Sequence, residues 1–238
     1  FAAIMAPVLL ATLSVSAQNT AVKPANTTKP AAVQPWKKIV IPPLHAFKPV
    51  QPRRIELANG LVIFLQEDHE LPFINGSILI RGGSRDEPAA KAGLVTMYGQ
   101  TWRTSGTATE NGDQLDDQME AKAAQIETNG SIASTSVKWS SLKGDFDTVF
   151  AATIDVLLHP AFRADKLQLA KRQMETGISR RNDDPGDISI REAIKLAYGA
   201  GNPYARQPEY ATVDAVTLED LAAWHDKTVV PNNMIVAV

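Results

Sequence analysis

The chain has 238 residues, 44% hydrophobic and 21% charged, which is enough apolar material for one sizeable core or two small ones. Its formal net charge of −2 gives no electrostatic footprint for nucleic acid or an anionic membrane surface. It contains no cysteine, which excludes thiol nucleophiles, disulfides and thiolate metal sites.

Phe1 to Leu13 (FAAIMAPVLLATL) is an uncharged apolar run, followed by small residues at Val15 and Ala17. This pattern predicts a secretory signal peptide over 1–17, truncated at its start and cleaved after Ala17. The run is too short to anchor in a bilayer, so the expectation is export to the periplasm or cell envelope, with no membrane span after cleavage. Residues 18–52 are rich in Pro and Ala, as in KPANTTKPAAVQP. Prolines at this density block helix interiors and sheet ladders, which predicts an extended linker or arm, docked locally by Trp36 and Phe47.

Residues 53–238 read as the folded domain. Asn59-Gly60 between Arg54–Leu57 and Leu61–Leu65 predicts a hairpin, and Phe73 to Arg81 a third strand. The apolar period then becomes helical over Ala89 to Arg103 and over Asp113 to Gln125. A turn at Asn129-Gly130 leads into an alternating strand, Ser131 to Val137. Helices follow from an Asp145 cap to Pro160, from Arg163 to Arg181, and from Ile188 to Tyr198 after the Asp183-Asp184-Pro185-Gly186 break. Thr217-Leu218-Glu219-Asp220 has the form of a capping box opening a further helix, and Met234 to Val238 is a closing strand. Strands, then helices, then a strand predict an α+β fold: a largely antiparallel sheet with helices packed on one face.

Several chemistries are poorly served. His45, His69, His159 and His225 include no pair at i, i+3 or i, i+4, and read as surface or helix-terminal histidines. Ser131 to Ser141 is serine-rich but lacks a G-x-S-x-G elbow, and Gly82-Gly83-Ser84-Arg85 lacks P-loop or dinucleotide spacing. Asp116-Asp117 and Asp183-Asp184 read as a solvated helix face and a turn.

The stretches ELANGLVIFLQEDHELP, ILIRGGSRDEPAAKAGL, LLHPAF, RRNDDP, GNPYARQPEYATVDAVTLEDLAAW and VVPNNMIVAV resemble, in order and spacing, the N-terminal unit of the pitrilysin/insulinase family of zinc peptidases. The resemblance covers most of Arg53 to Val238. It implies an insulinase-like unit forming the first half of a two-unit half-shell, with the second unit beyond this sequence. Catalytic members carry H-x-x-E-H on the helix after the R-x-G-S-R-x-E segment. Two imidazoles at i and i+4 share a helix face and grip zinc, while the Glu activates its water. Aligned from Gly93-Leu94, this chain has Thr96 and Gln100 at the two His positions and Gly99 at the Glu. Counting back from Pro185 puts Thr176 or Gly177 at the fourth ligand position, with Glu175 one step away.

The resemblance therefore implies a member without catalytic or metal-binding residues, like the non-catalytic subunits of heterodimeric bacterial relatives and of the mitochondrial processing peptidase. No cofactor is expected in this chain; zinc is expected in a partner subunit of the same family, and the pair would enclose a peptide substrate. Ser131, Ile132, Ala133 and Ser134 are the expected peptide-binding residues, on a strand either added to by the peptide or paired only within the sheet. The alternatives are a proteolytically silent scaffold in an envelope assembly, and an active zinc peptidase whose ligands lie elsewhere.

Overall fold

The computed structural model describes residues 39–40, 42–44, 46 and 48–238. The expected leader, the docking residues Trp36 and Phe47, and His45 lie outside the described residues. Two units are distinguished, Phe1–Lys48 and Pro49–Val238, and every element named here belongs to the second. No helix among the described residues is long and apolar enough to cross a membrane.

Six strands form one sheet: β1 (Arg53–Glu56), β2 (Val62–Leu65), β3 (Phe73–Arg81), β4 (Gln125–Gly130), β5 (Ser134–Leu142) and β6 (Met234–Ala237), in the order β1-β2-β6-β3-β5-β4. All neighbours are antiparallel except β2 and β6, so the sheet is mixed but largely antiparallel, as expected. The Asn59-Gly60 hairpin forms: Gly60 takes a φ of 86°, and the Asn59 side chain accepts from Leu61 N at 3.2 Å. Alternation assigns the faces. Ile78, Ile80, Val137 and Trp139 are buried, whereas Leu79 and Lys138 point to the opposite, exposed face.

Seven helices are present in the described residues: α1 (Leu94–Thr104), α2 (Gly112–Ala121), α3 (Phe146–Leu158), α4 (Ala164–Arg180), α5 (Pro185–Tyr198), α6 (Tyr210–Asp214) and α7 (Leu218–Thr228). Together with the sheet they form the expected α+β fold. The predicted capping box opens α7, with Thr217 N donating to Asp220 Oδ2 at 2.9 Å. Asp145, expected to cap α3, makes no cap bond; its carboxylate instead accepts from Lys122 Nζ at 2.7 Å. The α2 helix stops at Ala121, and Ala123 turns the chain at a φ of 47°. Gln125 therefore opens a strand, where the sequence had extended a helix. The strand read as Ser131–Val137 begins only at Ser134, because Asn129-Gly130 closes β4 and does not form the turn.

Helix α1 is the core of the unit. Leu94, Val95, Met97, Tyr98, Gly99, Thr101 and Trp102 are all buried, and the helix packs on β4, α4 and α7. Trp102 Nε1 donates to Val156 O at 2.7 Å, which satisfies its polar tip in the interior. His225 of α7 departs from its expected surface role. It is buried against Trp102 and Phe162, and its Nδ1 lies 2.9 Å from the Tyr98 hydroxyl. Desolvation lowers its pKa from 6.5 to about 4, against a small opposing effect of Asp226, so the native ring is neutral at pH 7.

The sign of the consequence follows from linkage. The unfolded ring takes up a proton near pH 6.5 and the native ring only near 4, so stability is complete above pH 6.5 and is lost on acidification between these values. Urea unfolding at pH 7.5 and 4.5 will show wild type losing about 2 kcal/mol more than a His225→Gln variant. Equal acid losses in the two proteins would remove His225 as the cause.

Candidate functional site

The entry to α1 is set by Glu87. Its buried carboxylate accepts from Gly93 N at 2.8 Å and Val95 N at 2.9 Å, two of the donors that a helix N-terminus leaves unpaired. Burial pushes the Glu87 carboxyl upward, opposed by these two N–H groups and by Arg206, which donates through Nη1 to the Glu87 carbonyl at 2.7 Å. Gly93 holds a φ of 103° to begin the helix. The segment Gly83-Ser84-Arg85 is fixed by the 131–133 turn. Ser84 N donates to Ser131 O at 2.9 Å and Arg85 N to Ile132 O at 3.1 Å, and a Cβ on Gly83 would meet the Ile132 carbonyl carbon at 2.4 Å.

The α1 residues singled out from sequence lie along two adjoining hollows between α1 and α4. One, of about 280 Å³, is lined by Thr96, Gln100, Gln173, Met174, Gly177, Ile178, Arg181, Gln207 and Pro208. The other, of about 330 Å³, adds Gly99, Arg103, Asp116, Glu127, Thr128 and Lys166 around the same Gln100 and Gln173. Thr96, Gln100 and Gly177, one of the two candidates for the fourth ligand position, thus line one hollow. Thr176, the alternative, is exposed, lines neither hollow, and donates its hydroxyl to Arg172 O at 2.8 Å. One residue along a helix rotates a side chain by ~100°, which separates the two. Glu175 lines neither hollow.

These residues do not fit a zinc ion. The hollow joining Thr96, Gln100 and Gly177 is lined by no imidazole and no carboxylate, and its one charged group is the cation Arg181. Among the described residues, no three His, Asp or Glu side chains come together as a metal would require. Gly99 is closed to a general base on steric grounds as well. A Cβ there would stand 2.2 Å from Gly130 N and 2.7 Å from the Asn129 carbonyl carbon, both backbone atoms of β4. The contact is reciprocal, since a Cβ on Gly130 would stand 2.1 Å from Val95 O. Thr128 Oγ1 completes the junction by donating to Gly99 O at 2.7 Å.

The expected peptide-binding residues fall differently. Ser131, Ile132 and Ala133 form the β4–β5 turn, and their carbonyls are taken by Ser84, Arg85 and Gly82. Ser134 opens β5, which is paired on both sides, with β3 and β4. The sheet edge beside α1 is β4 itself, paired only with β5. Its alternation was masked in the sequence by Asn129-Gly130, which resembles a turn.

A family description, Insulinase (Peptidase family M16), matches residues 62–207, more than half of the chain. The chain belongs to the insulinase family. Solved structures share the fold of this insulinase-family unit. They include the inactive domain of an M16 peptidase from Pseudomonas fluorescens, with a TM-score of 0.74, 22% identity, and coverage of 79% of this chain and 46% of that one. A protease from Helicobacter pylori matches at a TM-score of 0.68 and 19% identity, over 78% of this chain and 46% of that one. The periplasmic protease PqqL from Escherichia coli matches at 0.66 and 12%, over 84% of this chain and 24% of that one. The insulinase-family chain thus spans less than half the length of these structural neighbours. No curated protein matches its sequence at a significant level.

Proposed function

We propose that this chain is a non-catalytic insulinase-family subunit that pairs with a zinc-bearing relative and completes a chamber for peptide degradation. The observation that carries this reading is the hollow that Thr96, Gln100 and Gly177 line together, which offers only neutral side chains and Arg181. Gly99 supports it, because the backbone of β4 occupies the space a glutamate side chain would need. A neighbour described as an inactive M16 domain is consistent with the same role. On this reading the partner supplies metal, base and water, and no step of hydrolysis runs through this chain.

What the chain supplies is surface. The free edge of β4 presents unpaired backbone groups beside the hollow that contains Glu127 and Thr128, so an extended peptide adds there as a further strand. The peptide-contacting role therefore moves from Ser131–Ser134 to Gln125–Gly130. Residues 53–238 serve as the first unit of a two-unit half-shell, a reading supported by neighbours about twice as long. The apolar run Phe1 to Leu13, with small residues at Val15 and Ala17 after it, supports export to the periplasm or cell envelope.

Affinity capture from its own cells, followed by peptide hydrolysis assays, tests the proposal. The expected partner is an insulinase-family protein bearing H-x-x-E-H, whose turnover of an unfolded peptide rises at least about tenfold (1.4 kcal/mol) when this subunit is added. Turnover unchanged by the subunit defeats the pairing, and an assembly that cleaves no peptide favours a silent scaffold. Stoichiometric, chelator-removable zinc in the isolated chain overturns the non-catalytic reading.

A further inference from the structure

A third hollow, of about 360 Å³, opens beside the one at Thr96 and Gln100 and shares Arg181 and Gln207 with it. Its lining brings together Arg181 at the end of α4, Arg191 and Lys195 of α5, and Arg206 of the following loop, with Asn182 and Gln207 between them. The only carboxylate in the lining is Glu209. Four cations from three segments converge here in a chain whose net charge is −2.

Main-chain carbonyls hold three of these cations in place. Arg181 Nη1 donates to Pro208 O at 3.2 Å, Arg191 Nη1 to Arg181 O at 2.8 Å, and Arg206 Nη1 to Glu87 O at 2.7 Å. Their rotamers are therefore fixed before any ligand arrives, which reduces the entropy lost on binding. Two acids offset part of the charge: Glu209 is gripped at both oxygens by Arg181, and Glu192 pairs with Lys195 at 2.8 Å and Arg191 at 3.5 Å. Donors nonetheless remain. Among the described residues Arg206 bonds only through Nη1, and Lys195 uses one of its three N–H groups. The field in the hollow favours an anion. The Glu209 carboxyl is held below its usual range first by the Arg181 hydrogen bond, against a burial effect, and further by the charges of Arg181, Lys195 and Arg191.

We infer that this hollow is a carboxylate-binding pocket that anchors a peptide by its C-terminal carboxylate or by an acidic side chain. The inference rests on the proposed peptide-holding role of the β4 edge. The three hollows share residues in sequence: Gln100 and Gln173 join the first pair, and Arg181 and Gln207 join the second. A peptide paired to β4 thus has a continuous path along α1 and α4 to the cations. The Arg181 fork is held by Glu209, and Arg191 Nη2 donates to Asn182 Oδ1 at 2.7 Å. The Arg206 guanidinium and Lys195 are therefore the groups that meet a planar carboxylate, with the amide nitrogens of Asn182 and Gln207 beside them.

The test is fluorescence anisotropy with the full 238-residue chain and a fluorescein-labelled nonapeptide of alternating threonine and valine. Three forms are compared: a free C-terminal carboxylate, a C-terminal amide, and the amide with one internal glutamate. One or both acidic forms will bind at least about tenfold more tightly than the neutral amide, and raising salt from about 50 to 300 mM will shrink the advantage. An advantage confined to the free acid identifies the C-terminus as the ligand, and one shared by both forms identifies any acidic group. The double variant Arg191→Gln/Lys195→Gln will reduce the advantage to about twofold or less. If that variant unfolds, Lys195→Gln alone, on a partly exposed side chain, serves instead and will reduce the advantage at least about threefold. Equal binding of all three forms, including none at all, overturns the inference, as does an advantage unchanged in a folded variant. Binding of the neutral amide alone leaves the peptide-holding reading standing, so the two failures are distinguishable.

Discussion

Replacing Gly99 with alanine will destabilise the protein by about 2 kcal/mol or more, although alanine is the better helix former. The sign separates two effects. Helix propensity alone favours alanine over glycine by ~1 kcal/mol within a helix. Against this, the added Cβ would stand 2.2 Å from Gly130 N, and the obstacle is strand backbone, which cannot rotate away. Overpacking of this kind costs about 3 kcal/mol when the neighbour must shift, so the contact wins. Urea unfolding at pH 7.5 is the measurement, with the midpoint of thermal unfolding falling by roughly 4–8 °C. A Gly99→Ala protein as stable as wild type would show that α1 and β4 are not in contact as described. Gly99→Glu, which puts a carboxylate where the sequence resemblance aligns the family's glutamate, will be worse still. Thr96→His and Gln100→His, at half-buried and exposed positions, will be tolerated within about 1 kcal/mol. A carboxylate is therefore harder to place at 99 than an imidazole at 96 or 100.

Replacing Glu87 with alanine will cost about 3 kcal/mol. Its two carboxylate oxygens satisfy Gly93 N and Val95 N at 2.8 and 2.9 Å in a buried setting, and alanine leaves both donors without a partner. An unsatisfied buried donor costs about 1–3 kcal/mol, more where the lost acceptor was charged. Glu87→Gln keeps one acceptor and turns an NH₂ toward the other N–H, so its loss will be about half as large. Chemical denaturation gives the energies, and amide exchange at Gly93 and Val95 locates them. If both variants lose less than about 0.5 kcal/mol, the carboxylate does not cap α1. The same residue links the entry of α1 to the cationic hollow, since its carbonyl holds Arg206. The 3₁₀ turn over Ser84–Asp86 and the α1 N-terminus therefore share one anchoring point with the proposed carboxylate pocket.

Much of this was legible along the chain because it depends on near neighbours. Asn59-Gly60 specifies a tight turn whatever surrounds it, and Thr217 with Asp220 closes a capping box within one turn of helix. Alternation at Phe73–Arg81 and the 3.6-residue period of α1 and α4 likewise report which face is buried. The order of these pieces was enough to place the chain in its family. The residue types at positions 96, 99 and 100 also excluded imidazole and carboxylate there before any coordinates.

Only the tertiary structure decided how distant segments meet. A periodicity shows that a face is buried, not what covers it, so it could not show that Gly177, and not Thr176 ~100° round the same helix, lines the hollow with Thr96 and Gln100. Nor could it show that β4 is the sheet edge, because strand order is set by pairing across long stretches of chain. Burial of His225 required Tyr98, 127 positions away, and the convergence of Arg181, Arg191, Lys195 and Arg206 required α4, α5 and a loop to close on one hollow. The glycine at 99 is the clearest case: sequence made it a poor helix residue, and the approach of Gly130 within a van der Waals contact made it the residue that fits.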